Sequence, residues 1–256
     1  PRIQSRLNLK ALKSLFTFWV PIGDLTFFEG IYQLSPGEYL TICDEGTSKG
    51  KHWDISFTKT EESKSLSDWQ EAVRFALEEA VKIRLRADVP VGSYVSGGLD
   101  SSILTMLADK HQSPFLTTFS MRFADTDYDE TIYQELLEAQ YGNQNHSILL
   151  STTDINNSYE AMILAAEQPV YRTAPVPLYY LSRNVSDHKF RVVLTGEGAD
   201  EIAWGYNIFK ETSIRVDIAA GVSQEIWQKK LSSLYPYLEQ FGSRYTKLMM
   251  SFYYQI

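Results

Sequence analysis

The sequence predicts an α/β fold, in which a parallel sheet carries helices on both faces and follows a short antiparallel β element. From residue 91 to residue 194, apolar runs of strand length alternate with segments of helix length. A loop rich in glycine and serine follows the first of these runs, between a strand and a helix. Before residue 58 the pattern differs, with aromatic residues in strand-like alternation around a Ser-Pro-Gly turn.

The N-terminal pattern covers residues 27–42 and predicts two short strands joined by a turn at residues 35–37. A sheet of so few strands is marginal by itself. We therefore expect this element to pack on the larger domain or to be the end of a domain that begins upstream. The polar stretch 58–65 predicts a linker, and a capping-box pattern at 67–70 predicts the start of a helix that runs to about Arg86.

The following segment predicts four strands and the helices that connect them. The expected strands are 91–95, 115–123, 146–150 and 190–194. The expected helices are 103–110, 130–141 (capped by Asp129 and ended by Gly142), 155–167 and 176–185. Such alternation implies parallel strands. Sheets of this kind bind ligands at the carboxyl ends of their strands, where the strand order reverses.

Residues 96–102, Ser-Gly-Gly-Leu-Asp-Ser-Ser, form the first candidate site. Two glycines let the backbone approach an anion closely, and the hydroxyls and first helix amides supply hydrogen-bond donors. No lysine follows the glycines, so a Walker-type phosphate loop fits poorly. The alternative interpretation is an ordinary surface turn, because glycine and serine dominate turns for conformational reasons.

A second candidate site lies in residues 194–206, where Glu197, Asp200 and Glu201 stand among glycines after an apolar strand. One interpretation is a turn before a helix whose first acidic residues offset the helix dipole. The other is a set of carboxylates that serves a magnesium–phosphate site and a general base.

Composition narrows the class of ligand. The chain carries 24 basic and 32 acidic residues, a net charge of −8, without a basic patch interleaved with aromatics. This pattern disfavours nucleic acid and favours a small-molecule substrate. No apolar run approaches the ~20 residues of a membrane span, and the N-terminus lacks the layout of a signal peptide. The single cysteine, Cys43, excludes an internal disulfide, so we expect a cytoplasmic protein with a buried or inert thiol.

Residues 96–102 resemble the pyrophosphate loop of the ATP pyrophosphatases, which cleave ATP between its α and β phosphates. Together with residues 194–206 and 27–42, in this order and spacing, they resemble the glutamine-dependent asparagine synthetases. The resemblance implies an adenine nucleotide α-hydrolase-like fold of the ATP pyrophosphatase type. It implies an amidoligase that activates the side-chain carboxylate of aspartate, or a related carboxylate, as an acyl-adenylate for attack by ammonia from glutamine. ATP and Mg²⁺ are the implied cofactors, and a homodimer is an assembly compatible with the family.

The resemblance also assigns roles to residues. Those implied to hold the pyrophosphate with magnesium are Ser96, Gly97, Gly98, Asp100, Ser101 and Ser102. Those implied to line the adenine, the ribose or the rest of the nucleotide are Val95, Met121, Thr195 and Gly196. Asp100 and Asp200 are the implied magnesium ligands, and Glu197 handles the proton of the incoming ammonia or of the tetrahedral intermediate. Arg172 is expected to contact a carboxylate or a phosphate, with a solvated loop arginine as the alternative.

The resemblance implies that residues 1–58 are the C-terminal remnant of a glutaminase domain and residues 59–256 the N-terminal part of a synthetase domain. The family's N-terminal cysteine nucleophile is absent, and the synthetase part is short, so we expect a chain truncated at both ends. We do not expect it to hydrolyse glutamine, and its activity alone stays open.

Two other functions stay open at this point. One is another ATP pyrophosphatase, either similar to a lactam synthetase or an amidotransferase of secondary metabolism. The other is a non-catalytic nucleotide-binding module. The Glu-Gly-Ala-Asp-Glu form of residues 197–201 favours ammonia over ring closure. Carboxylates gathered beside a triphosphate favour metal-dependent catalysis over simple binding.

Overall fold

The computed structural model describes five stretches of the 256-residue chain: 6–56, 64–112, 116–125, 130–141 and 144–234. The chain divides into two compact units, Pro1–Thr195 and Gly196–Ile256, and each is described by itself. The predicted domain boundary between residues 58 and 59 lies outside the described residues and stays a prediction.

The first unit begins with helix α1, Leu9–Phe18. Asn8 caps this helix, since its Oδ1 accepts hydrogen bonds from the amides of the first turn. One face of α1 packs into a small core of Ala11, Leu15 and Phe27. The N-terminal part of the chain therefore has its own small apolar cluster.

An antiparallel hairpin follows, formed by β1 (Glu38–Cys43) and β2 (Gly46–Lys51). The expected antiparallel element is confirmed, but its predicted turn is wrong. Residues 44 and 45 connect the strands, whereas the turn at 35–37 leads into β1 through a hydrogen bond from the Glu38 amide to the Ser35 carbonyl. β2 has the sequence GTSKGK, which contains no large apolar side chain, so hydrophobic alternation gives no sign of it.

The single cysteine, Cys43, ends β1 and is exposed. Its Sγ donates a hydrogen bond to the Gly46 carbonyl across the hairpin, at 3.4 Å. Upstream, residues 27–34 contain no strand, and the Leu25–Tyr32 pairing is an isolated bridge.

Helix α2 spans Leu66–Arg84 and has the predicted capping box, shifted by two residues. Ser65, not Ser67, is the cap. Its Oγ accepts from the Asp68 amide at 3.2 Å, and the Asp68 carboxylate accepts from the Ser65 amide at 2.9 Å.

The remaining elements of the first unit alternate as expected. They are β3 (Val91–Tyr94), α3 (Leu99–His111), β4 (Thr117–Phe123), α4 (Thr131–Tyr141), β5 (Gln144–Leu150), α5 (Thr152–Ala166), α6 (Pro175–Asp187) and β6 (Val192–Leu194). The predicted cap Asp129, the predicted stop Gly142 and the predicted first strand residue Phe115 lie outside the described residues.

Strands β3 to β6 form one parallel sheet in the order β5-β4-β3-β6. The chain moves outward from β3 to β4 and β5, and then returns to place β6 on the other side of β3. The strand order therefore reverses between β3 and β6, the position at which open α/β sheets bind their ligands.

Helices cover both faces of this sheet, which confirms the predicted fold class. On one face, Val81 of α2 and Ala108 of α3 pack with Val91 and Leu194 of the sheet. On the other face, the buried side chain of Phe119 packs against α6.

Polar side chains also join the first face to its helices. The hydroxyls of Ser93 in β3 and Thr105 in α3 are both buried and lie 2.9 Å apart. In β4, the Oγ of buried Ser120 accepts a hydrogen bond from Asn145, which also contacts Glu138 of α4. Hydrogen bonds of this kind need one relative position of helix and strand, so they fix the register of the packing.

The second unit contains α7 (Ala199–Ala203), α8 (Asn207–Ala219) and α9 (Gln224–Leu234). Its core consists of Ile214, Trp227, Leu231 and Leu234, with Ile218 packed against them. Among the described residues of the whole chain, no helix combines the length and the apolar character needed to cross a membrane.

The stability of the first unit is expected to fall in mild acid because of His146. Burial lowers the pKa of His146 from 6.5, and the adjacent His188 ring, 3.8 Å away between centroids, lowers it further. The unfolded chain then binds this proton more readily than the folded chain. The contribution to the unfolding free energy is therefore present above pH 6.5 and is lost as the pH falls towards the lower pKa of the folded state.

Urea unfolding of the wild type and of His146→Gln at about pH 7.5 and about pH 5.5 measures this effect. The wild type should lose more stability than the variant between the two conditions. An equal loss in both proteins would contradict the role given to His146.

Candidate functional site

The Ser96 loop, residues 96–98, leaves the sheet at the carboxyl end of β3. Val95 is buried, and its amide donates to the Phe119 carbonyl at 3.0 Å, which continues the pairing with β4 by one residue. Ser96 is the first exposed residue after the strand. The predicted pyrophosphate loop therefore starts at the edge of the sheet where the strand order reverses.

The loop is held by its own serine side chains. The Gly98 amide donates to Ser96 Oγ at 3.1 Å, and the Ser96 amide donates to Ser101 Oγ at 3.2 Å. Ser101 and Ser102 both donate through their hydroxyls to the Gly98 carbonyl, at 3.1 and 2.7 Å. These hydroxyls therefore shape the backbone of the loop before any ligand binds.

The start of α3 is left open for an anion. Gly98 is the N-cap residue, and no side chain among the described residues caps the helix. The first helix amides have no partner within the helix, and they carry the positive end of the helix dipole. A phosphate group at this position would receive hydrogen bonds from these backbone amides.

Gly97 has a conformation that few other residues adopt. Its φ is +93°, and a Cβ placed on it would lie 3.0 Å from the Tyr133 Cβ and 3.1 Å from the Glu130 carbonyl oxygen. The loop backbone therefore rests directly on the start of α4. Only glycine provides both the torsion angle and the close approach.

Gln134 of α4 joins the Ser96 loop to β4, a role that the sequence does not predict. Its side chain is 2% exposed, and its Nε2 donates to the carbonyls of Ser96 at 3.2 Å and Met121 at 3.1 Å. The structure thus brings together the Ser96 loop and Met121, which were predicted to hold different parts of one nucleotide. No pattern in the sequence of α4 marks this glutamine, because the apolar residues Ile132, Tyr133 and Leu136 are exposed.

Asp100 lies exposed in the first turn of α3. Its carboxylate is the hard oxygen donor that Mg²⁺ requires. Among the described residues, no group of three or more His, Cys, Asp or Glu side chains could hold a metal ion. Mg²⁺ usually binds through one or two carboxylates together with substrate phosphates, so a single carboxylate beside a phosphate loop fits such an ion.

Arg172 lies in the segment between α5 and α6, and its contact is aromatic. The guanidinium Cζ is 4.4 Å from the centre of the Trp19 ring. The neighbouring Tyr171 meets Phe16 edge to face, with 5.7 Å between ring centroids. The end of α1 therefore holds this segment through a cation–π contact and an aromatic pair. The substrate contact predicted for Arg172 stays a prediction.

Thr195 is exposed directly after β6 and ends the first unit. Gly196, Glu197 and Asp200 belong to the second unit. Glu197 is exposed and Asp200 is half-buried, with its Oδ1 against the backbone of Gly205. The roles predicted for these residues stay predictions.

The acidic character of this second segment affects Tyr206. The Tyr206 hydroxyl donates to a Glu201 carboxylate oxygen at 3.1 Å. This hydrogen bond, together with burial and the negative charges of Glu201, Asp200 and Glu197, raises the pKa of Tyr206 above 10.0. The segment is therefore a region of negative potential within the second unit.

The chain matches the family described as asparagine synthase over residues 72–255. It is 32% identical to the glutamine-hydrolyzing asparagine synthetase 1 of Bacillus subtilis over 208 residues, which are 80% of this chain and 32% of that protein. It is 30% identical to the amidase chyE of Penicillium rubens over 206 residues, 74% of this chain and 31% of that protein. Among solved structures, the NH3-dependent NAD synthetase from Campylobacter jejuni matches with a TM-score of 0.39 and 17% identity, over 54% of this chain and 61% of that chain.

The chain spans about a third of the length of these curated relatives. The family match covers all four strands of the described parallel sheet and includes both predicted site segments. The chain belongs to the asparagine synthase family.

Proposed function

We propose that the chain carries the nucleotide-activating part of an ATP-dependent amidoligase of the asparagine synthetase type. A side-chain carboxylate oxygen of aspartate, or of a related acid, attacks the α-phosphorus of ATP. The bond to the β-phosphate oxygen breaks, pyrophosphate leaves, and an acyl-adenylate forms. Ammonia then attacks the acyl carbon, loses a proton, and displaces AMP to give the amide.

The observation that carries this proposal is the shape of the Ser96 loop in a chain of this family. Its serines hold the loop in place, and the uncapped amides of α3 point their dipole towards the carboxyl end of β3. Negative charge grows on the departing pyrophosphate during adenylation. Backbone donors that are already in place stabilise that charge without reorganisation.

Asp100 is proposed as a ligand of Mg²⁺, together with Asp200 as the resemblance implies. When bound, this ion neutralises charge on the phosphates. The loop serines and the helix amides bind and orient the same phosphates. Val95 and Met121 are proposed to flank the adenine and ribose, and Thr195 and Gly196 to line the nucleotide.

Glu197 is proposed to take the proton that ammonia loses as the amide forms. A carboxylate suits this role because it accepts one proton and carries no competing donor. Arg172 is proposed to contact the carboxylate of the acceptor or a phosphate. Its planar guanidinium can form a bidentate pair of hydrogen bonds with either group.

Calorimetric titration with Mg-ATP tests the nucleotide site. The 256-residue chain should bind, and Asp100→Ala should bind about tenfold more weakly, because one charged ligand of the metal–phosphate complex is lost. Asp88→Ala is the matched control, since it removes an exposed carboxylate before β3 and should leave binding unchanged. Equal affinities for the wild type and Asp100→Ala would contradict the role of Asp100.

Release of pyrophosphate in the presence of ammonium and a panel of amino acids tests the acceptor. Release that depends on aspartate supports the asparagine synthetase type. Binding of Mg-ATP without release under any condition would instead favour the non-catalytic module.

A second candidate keeps the nucleotide site and changes the acceptor. One relative of this chain carries the name amidase and not asparagine synthetase, so we infer that a carboxylate other than aspartate should be tested as the acceptor. In the same panel, pyrophosphate release with another carboxylate and none with aspartate would select this candidate.

A further inference from the structure

We propose that Gln134 is a positioning residue of the nucleotide site. Its side-chain amide sets the separation between the Ser96 loop and Met121 at the carboxyl ends of β3 and β4. The inference rests on the proposed function, since it takes ATP to lie against both. Gln134 itself need not touch the nucleotide.

The two hydrogen bonds fix the orientation of the Gln134 amide. Both partners are backbone carbonyls, Ser96 O at 3.2 Å and Met121 O at 3.1 Å, so the group that faces them must be the Nε2 donor. Each proton of the Nε2 group therefore has one acceptor. One planar group spans the two neighbouring strands and holds their ends together.

The carbonyl half of the Gln134 amide also supports a specific role for the Nε2 donor. Oε1 of Gln134 is buried and has no hydrogen-bond partner among the described residues. A buried acceptor without a partner destabilises the fold, whereas an apolar side chain of the same length would not introduce this cost. We therefore attribute the presence of glutamine at this position to the two hydrogen bonds that its Nε2 group donates.

The contact between the Ser96 loop and α4 also supports the positioning role of Gln134. The Gly97 backbone rests on the Glu130 carbonyl and on Tyr133, one turn and one residue before Gln134. The first turn of α4 thus supports the loop from below, and Gln134 adds the link to β4. The Ser96 carbonyl, the Met121 carbonyl and α4 form one rigid support.

The affinity of a ligand that binds at both ends of this support should depend on the separation between the two ends. ATP places phosphates at the Ser96 loop and adenine beside Met121, whereas pyrophosphate and AMP each use mainly one end. A support that is already in position lowers the cost of binding the longer ligand at both ends.

The test compares Gln134→Met with Gln112→Met in the full 256-residue chain. Gln112 is a close match, because its Nε2 donates to the Val91 carbonyl at 3.1 Å and its Oε1 is also buried without a described partner. It lies at the amino end of β3, away from the Ser96 loop. Methionine keeps the length of both side chains and removes the amide.

Calorimetry with Mg-ATP, AMP and magnesium pyrophosphate gives the readout. For Gln134→Met we expect the Kd for Mg-ATP to rise about tenfold, while the Kd values for AMP and pyrophosphate change by less than about twofold. Gln112→Met should leave all three values unchanged, with the folded state of each variant checked by circular dichroism. Gln134→Asn, which keeps the amide but cannot reach both carbonyls, should give an intermediate Kd for Mg-ATP and serves if Gln134→Met does not fold.

The inference is overturned if Gln134→Met or Gln134→Asn binds Mg-ATP like the wild type. It is also overturned if all three ligands weaken equally, because that result indicates a general effect on folding. If the wild type itself binds no Mg-ATP, the proposed function fails first, and the inference fails with it.

Discussion

Gly97→Ala is expected to remove measurable binding of Mg-ATP and to destabilise the first unit. At a φ of +93°, alanine is strained, and its Cβ would lie 3.0 Å from the Tyr133 Cβ and 3.1 Å from the Glu130 carbonyl oxygen. Strain of this kind costs about 1–3 kcal/mol before any clash is added. The loop or the start of α4 must therefore move, and the backbone donors move with it.

Urea unfolding and calorimetry with Mg-ATP measure the two parts of this effect. Gly23→Ala is the matched control, because Gly23 has a φ of +71° but no atom within 4 Å of the added Cβ. That variant should lose some stability from backbone strain alone and bind Mg-ATP normally. A Gly97→Ala protein with the affinity of the wild type would show that the loop position does not determine binding.

Phe119→Ala is expected to cause the largest loss of stability in the first unit. Phe119 is 0% exposed and packs with Leu181 and Val185 of α6, and its ring centroid lies 5.2 Å from that of Phe190. Removing a buried phenyl ring of this kind costs about 3–5 kcal/mol, because a cavity replaces the lost contacts.

Thermal and urea unfolding test this expectation. Phe75→Ala is the control, since Phe75 in α2 is 67% exposed, and it should change the unfolding free energy by no more than about 0.5 kcal/mol. If Phe119→Ala unfolds within about 1 kcal/mol of the wild type, the sheet and α6 do not depend on this ring as described.

The parallel sheet could be predicted because its strands and helices differ clearly in apolar period. All four strands of the sheet begin and end within two residues of the predicted bounds, and only the predicted first residue of β4, Phe115, lies outside the described part. The N-terminal hairpin was placed wrongly for a physical reason. β2 is exposed on both faces and carries Gly46, Gly50 and polar residues, so it shows no alternation.

The candidate site was predictable where its chemistry depends on local sequence. The glycines, the serines and Asp100 are contiguous, and the strand, the tight loop and the helix start expected around them are present, whereas their roles stay predictions. Gln134 was not predictable, because one glutamine in an amphipathic helix is typical of a polar face. Its two acceptors are 38 and 13 residues away along the chain, so only the folded structure shows that it bridges them.

The hydroxyl pair of Ser93 and Thr105 has a consequence for motion. An apolar contact still holds when a helix slides by a fraction of an ångström, but a buried pair of hydroxyls 2.9 Å apart does not. Helix α3, which begins at the Ser96 loop, is thereby locked to β3, and Asn145 locks the α4 side of β4 in the same manner. We therefore expect the nucleotide support to stay fixed when a substrate binds. Any closing movement on the substrate is then expected in other parts of the protein.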